Sequence, residues 1–386
     1  MEFEFWWLLA FPLFFGLGWL AARIDIRHLL TESRNVPDSY FKGLNFLLNE
    51  QPDKAVEAFV EVVKLDTETV DLHFALGGLF RRRGEVERAI RLHQNLVERD
   101  SLSQEKKLSA LNELAQDYLK AGLLDRAEQL FNQLLPTHFS KTALKFLLEI
   151  YVQEKEWQKA IDTARQLENN AEQSYAAEIA HFYCELALQA SAHANTEAAR
   201  EYLQEAVTAN RKSTRATVLL GDLEAAQHNC ETAIQIWKRI ETQNPEYLSL
   251  VAERMLGSYR ELGRIEEGLQ VLRGFLSRYP ALDLLSVVFQ ATLESQGTEA
   301  AYRLVRDELR KTPSLHGLDK LLDAQLLNAS PERQPDLQLM KNLVHQHAQR
   351  LAMYQCATCG FRARRFYWQC PTCAGWDTYA PRRKEE

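Results

Sequence analysis

Four cysteines near the carboxyl end of this 386-residue chain have the type and spacing to hold a metal ion. Cys356 and Cys359 are separated by two residues, Cys370 and Cys373 likewise, and ten residues lie between the pairs. Each C-x-x-C turn presents two thiolates from one tight loop, and two such turns complete a tetrahedral shell of four sulfurs. That shell suits one iron or one zinc ion, and the ligands alone do not choose between them. Protein fills all four positions, so the expected role is structural. Gly360 lets the first turn fold back toward its sulfurs, and Pro371 stiffens the second. The other two cysteines, Cys184 and Cys230, sit inside helical segments and read as buried small hydrophobes.

No catalytic constellation accompanies the cysteines. The chain has no G-x-S-x-G, no H-E-x-x-H and no phosphate loop. His345 and His347 are two apart, so on a helix they point in different directions and do not make a ligand pair. The expectation is a protein that is not an enzyme. With 46 basic and 53 acidic side chains the net charge is −7, which disfavours general polyanion binding. The tail is locally basic, with Arg362, Arg364, Arg365, Arg382, Arg383 and Lys384. A nucleic-acid-binding ribbon is therefore the alternative reading, and anionic lipid headgroups are another target for the same charges.

The elements that carry this tail are helical hairpins. Residues 72–101 show one helical face at Leu76, Leu79 and Phe80, a break at Arg83 and Gly84, then a second face at Ala89, Ile90, Leu92 and Leu96. Gly77 and Ala89 are small where the two axes must approach. The alanine recurs at Ala55, Ala89, Ala127, Ala160, Ala199, Ala233 and Ala301, with Gly268 filling the gap, at spacings of 34, 38, 33, 39, 34, 35 and 33. Turn glycines recur at Gly84, Gly122 and Gly263, and unit-ending prolines at Pro245, Pro280 and Pro313. The pattern resembles the tetratricopeptide repeat, whose period is about 34 residues. It departs at Ala164, where a bulky residue is expected, and at Gly268, where alanine is. Such units bury their apolar faces only against neighbours, so they are expected to stack into a superhelix with a concave, protein-binding groove. Groove-facing candidates on the first helices are Arg81, Arg82, Asn112, Gln116, Lys120, Arg215 and Asp222.

Ahead of the array, residues 5–22 form an 18-residue run without a charge. As a helix it would be about 27 Å long, enough for a bilayer core. Trp6, Trp7 and Trp19 lie near its ends, and Arg23 and Arg27 follow it while Glu2 and Glu4 precede it. A cleaved signal peptide needs a basic start, so an uncleaved anchor is expected, with the amino terminus outside and the body in the cytoplasm. In that reducing compartment thiolates are kept for metal rather than for disulfides. The expected organisation is a transmembrane anchor over residues 1–22, a juxtamembrane linker over 23–37 and an all-α repeat array over 38–329. A capping helix over 330–353 and the metal-binding domain over 354–386 complete it.

The tail, with CATCG and CPTCAGW, resembles a rubredoxin-type or zinc-ribbon module. In the rubredoxin pattern a glycine directly follows the fourth cysteine, whereas here Ala374 does and Gly375 comes one later. Six aromatics, Phe361, Phe366, Tyr367, Trp368, Trp376 and Tyr379, are expected to build its core and a face that docks on the last repeats. Anchor, array and ribbon together resemble the lipopolysaccharide assembly protein B family of Gram-negative bacteria, over the whole chain. That resemblance implies an inner-membrane adaptor. It would promote proteolysis of the deacetylase that commits precursor to lipid A, through a membrane-anchored AAA+ zinc protease, and gather other lipopolysaccharide-synthesis or transport proteins. Only Cys356, Cys359, Cys370 and Cys373 carry over by position, and self-association into a homodimer is left open.

Overall fold

The computed structural model describes residues 70–170, 174–351 and 353–383, together with isolated positions between 15 and 60. Among the described residues no helix is long and apolar enough to cross a membrane. The expected span over 5–22 lies outside them apart from Phe15 and Trp19, as does the linker over 23–37. The chain divides into two compact units, residues 1–150 and 151–386.

In the first unit the hairpins are α1 (Val70–Arg83) with α2 (Val86–Val97), and α3 (Gln104–Lys120) with α4 (Leu124–Leu134). Helix α5 (Ser140–Glu154) begins here and runs across the boundary. Leu72, Leu76, Leu79, Phe80 and Ala89 pack with Ala55 into one buried cluster. The small residues are required as expected: a Cβ on Gly77 would lie 2.3 Å from His93 Nε2, and Ala89 is wholly buried.

A polar network ties the two hairpins together. His93 Nδ1 lies 2.5 Å from Asp117 Oδ2, and Arg81 donates to Asp117 Oδ1 at 2.7 Å and to Glu113 Oε2 at 2.5 Å. His93 and Asp117 have no exposed side-chain surface. Removing one member of such a buried set strands the others, at a cost of about 3–5 kcal/mol.

The second unit continues with α6 (Trp157–Asn170), then pairs α7 (Ala176–Ala192) with α8 (Thr196–Ala209) and α9 (Thr214–Ala226) with α10 (Cys230–Lys238). A short α11 (Ile240–Gln243) and a 3-10 turn (Pro245–Tyr247) lead to α12 (Leu248–Glu261) with α13 (Ile265–Arg278), and α14 (Leu282–Gln296) with α15 (Thr298–Lys311). Helices α16 (Leu315–Leu327) and α17 (Gln334–Leu351) end the helical part. A continuous apolar core from Val218 to Ala324 joins the hairpins.

One departure from the repeat pattern acquires a physical reason. Gly268 replaces alanine because the Tyr259 ring lies where a Cβ would be, 2.8 Å away. The turns are also more regular than their glycines suggest. Lys155, Ala194 and His228 take φ of 59°, 57° and 61° in the same turn position where Gly84, Gly122 and Gly263 take 86°, 76° and 67°. The left-handed residue after the first helix is thus a property of the hairpin, and glycine only lowers its strain.

Candidate metal centre

Strand β1 (Tyr354–Gln355) pairs antiparallel with β2 (Arg362–Ala363), holding the first knuckle between them, while an isolated bridge from Gln369 to Trp376 closes the second. Each knuckle repeats the same hydrogen bonds. Gly360 N donates to Cys356 O at 3.0 Å and Ala374 N to Cys370 O at 2.9 Å; Cys356 N donates to Phe361 O and Cys370 N to Gly375 O, both at 2.9 Å. The residue after the second cysteine of each pair is left-handed, Gly360 at φ 74° and Ala374 at 55°. Ala374 therefore takes the role of the glycine that the rubredoxin pattern places there, at a strain of roughly 1 kcal/mol. Gly375 must be glycine for another reason: a Cβ would meet Thr378 at 2.7 Å.

The four sulfurs lie within 4.8 Å of one another, with Cys356 to Cys373 at 3.7 Å and Cys359 to Cys370 at 3.6 Å. A tetrahedral site with metal–sulfur bonds of about 2.3 Å has sulfur–sulfur edges of about 3.8 Å, so the residues present fit one ion. Burial pushes the Cys356 thiol up. The Thr378 hydroxyl and the amides of Cys359 and Thr358 outweigh it and bring the thiol down to about 6, while the adjoining Cys359 and Cys373 thiols are raised beside the other sulfurs. Cys370 is likewise lowered, its burial opposed by the amides of Cys373 and Thr372. A bound ion supplies a cross-link between two knuckles that share a small buried core of Tyr354, Cys356, Cys370 and Tyr379, with Ala363 and Phe366 packed against it.

That core is too small to orient the ribbon, and the repeats do so instead. Trp376 stacks on His181 of α7 at 4.6 Å and meets Phe182 edge-on, while Asp377 accepts from His181 Nε2 at 2.8 Å. Trp368 stacks on Tyr247, at the entry to α12, with centroids 5.2 Å apart, and Phe366 meets the same ring edge-on. Arg215 of α9 lies 5.3 Å from the Trp376 ring and 5.9 Å from the Trp368 ring, and it donates to Glu185 at 2.6 Å. Asp283 of α14 accepts from the Tyr354 hydroxyl at 2.7 Å and pairs with Arg383 at 2.8 Å. The ribbon therefore lies across the first helices of four consecutive hairpins rather than on the last repeats alone.

This changes what the expected groove residues do. Arg215 is only 6% exposed beneath the ribbon, committed to a contact within the chain. Asp222 pairs with Arg254 at 2.7 Å, and burial pushes its carboxyl above the usual range although Arg254 opposes this. Arg81 is held by Asp117 and Glu113, and Asn112 is buried beside Glu113. Gln116 reaches Glu113 at 3.5 Å. Arg82 and Lys120 are exposed. Sequence reasoning missed His181, Tyr247 and Asp283. Their signal was indirect: the tail holds more aromatics than a core of its size can bury. Cys184 is fully buried, which raises its thiol to about 12, and Cys230 donates to Glu261. His345 reaches Asp319 at 3.2 Å and takes no part in the metal centre.

Fold and site together define a helical-repeat protein that carries a rubredoxin-like ribbon with one four-cysteine metal site. Family models agree: the rubredoxin metal binding domain matches residues 354–381, and the tetratricopeptide repeat matches 42–101 and 184–247. The chain is 36% identical over 378 residues to lipopolysaccharide assembly protein B of Escherichia coli strain K12, covering 97% of each. It is 30% identical over 391 residues to the protein of that name from Haemophilus influenzae, covering 98% of each. Among solved structures it is similar to a tetratricopeptide repeat protein from Parabacteroides merdae, at 14% identity and a TM-score of 0.34 over 75% of this chain and 100% of that one. On the first two relatives the chain belongs to the lipopolysaccharide assembly protein B family.

Proposed function

We propose that this protein is a membrane-anchored regulator of lipopolysaccharide synthesis that works by holding other proteins and carries out no chemistry itself. Its relatives are named for lipopolysaccharide assembly, and their identity spans 97% of this chain, so array and ribbon are both part of what is shared. That full-length match is the observation that carries the reading. The closed shell of four cysteines agrees with it, because four protein ligands leave no position for a substrate.

In this reading residues 1–22 anchor the chain in the inner membrane, with the amino terminus outside and the body on the cytoplasmic side. The array then presents the deacetylase that commits precursor to lipid A to a membrane-anchored AAA+ zinc protease. Other lipopolysaccharide-synthesis or transport proteins are further partners. With the groove of the second unit covered by the ribbon, Arg82 and Lys120 of the first unit are the groove candidates left most open to a client. The test is affinity purification of the intact protein from detergent-solubilised membranes, with mass spectrometry of what is retained. Recovery of the protease or the deacetylase supports an adaptor; recovery of ribosomal or nucleic-acid components instead refutes it.

A further inference from the structure

The ribbon's outer surface carries a short run of arginines that no carboxylate holds, whereas many arginines along the repeats are paired. Arginine after arginine along the repeats is paired with a carboxylate: Arg200 with Glu224, Arg215 with Glu185, Arg254 with Asp222, Arg260 with Glu294, Arg264 with Glu231, Arg278 with Glu241 and Arg303 with Glu299. Arg362, Arg364 and Arg365 are exposed, and their side chains have no ion pair or hydrogen bond among the described residues. Two exposed aromatics, Phe361 and Tyr367, flank them at 38% exposure each. Phe366 and Trp368 turn inward onto Tyr247, while Tyr367 between them rests its ring edge against Tyr379 and stays part exposed, and Arg364 and Arg365 just before them are exposed.

We infer that this arginine–aromatic face of the ribbon binds the anionic phosphate headgroups of a membrane surface. Guanidinium groups match phosphate oxygens in geometry and charge, and ring side chains beside them settle at the headgroup boundary. Three arginines are a weak site for a ligand free in solution. They suffice when a tether supplies a high local concentration of surface, and here the inference rests on the proposed anchor in residues 5–22. A nucleic acid receives no such help, and beyond a footprint of three arginines it meets a chain of net charge −7. An anionic surface attracts each arginine by about a factor of five, so the whole face gains roughly 100-fold at low salt.

The test is hydrogen exchange of residues 359–367 in the full chain, reconstituted in nanodiscs of phosphatidylcholine with or without phosphatidylglycerol. The expected result is exchange slowed by up to roughly 100-fold only with phosphatidylglycerol, relieved by salt and lost when Arg362, Arg364 and Arg365 are changed to Gln. The metal content of that variant, unchanged, shows that its ribbon is intact. No slowing with phosphatidylglycerol overturns the inference, and so does equal slowing in both lipids. Slowing by a single-stranded oligonucleotide but not by lipid reassigns the face to nucleic acid. If the chain separates from the discs, the anchor reading fails; exchange measured with added phosphatidylglycerol vesicles then still decides the face.

Discussion

The repeat array and the ribbon are both built by copying a small motif, yet they reach stability by opposite routes. Each hairpin hands its apolar face to the next, so the array spreads burial over many equivalent contacts, such as the core running from Val218 to Ala324. The ribbon copies a knuckle twice and then has no further copies to pack against. Its four core residues are far below what a domain needs, and it makes up the difference with a metal shell and with borrowed surface. Tyr247, His181, Arg215 and Asp283 are that surface. An array tolerates local departures because neighbours share the load; the ribbon concentrates its dependence on a few groups.

The largest effect that separates the two is metal loss. Cys356→Ser with Cys359→Ser should abolish metal binding, which contributes about 10 kcal/mol or more to folding of small Cys-rich modules, and should free the ribbon. Far-ultraviolet circular dichroism should change little, whereas hydrogen exchange along α7, α9 and α12 should rise on the covered face. Loss of helix throughout the chain would show that array and ribbon are not separable in this way.

Trp376→Ala probes the borrowed surface with the shell intact. The cost should be about 3 kcal/mol, from lost stacking on His181 and lost contact with Arg215. Metal content should stay at one ion while denaturant releases the ribbon before the helices unfold. A single shared transition would make ribbon and repeats one cooperative unit.

Within the array the effects shrink. Gly268→Ala forces a methyl against the Tyr259 ring and should cost about 1–3 kcal/mol by urea denaturation. A neutral result would mean that the ring moves aside freely. Smallest and opposite in sign, Ala194→Gly should add up to about 1 kcal/mol, since the turn already holds a left-handed conformation there at φ 57°. Destabilisation instead would mean that the chain entropy of glycine outweighs the relieved strain.

Much of this was legible in the residues because the interactions concerned are local. Alanine spacings near 34 residues place the hairpins, since a close helix crossing demands a small side chain at a fixed phase, as Gly77 against His93 bears out. The cysteine spacing places the metal ligands, since two thiolates from one turn are set by three backbone steps. Ala374 departs from the glycine of the rubredoxin pattern, yet it takes the same left-handed turn as Gly360.

What the tertiary structure alone decided is which groups the array and ribbon commit to each other. Arg215 sits at a first-helix position whose spacing says that it faces the groove, but spacing carries no information about what already fills the groove. His181 and Trp376 are 195 positions apart, and Tyr247 and Trp368 are 121 apart, distances in sequence at which no periodicity reaches across. Local geometry is written residue by residue in a repeat protein, whereas a contact between two folded parts depends on both being formed first.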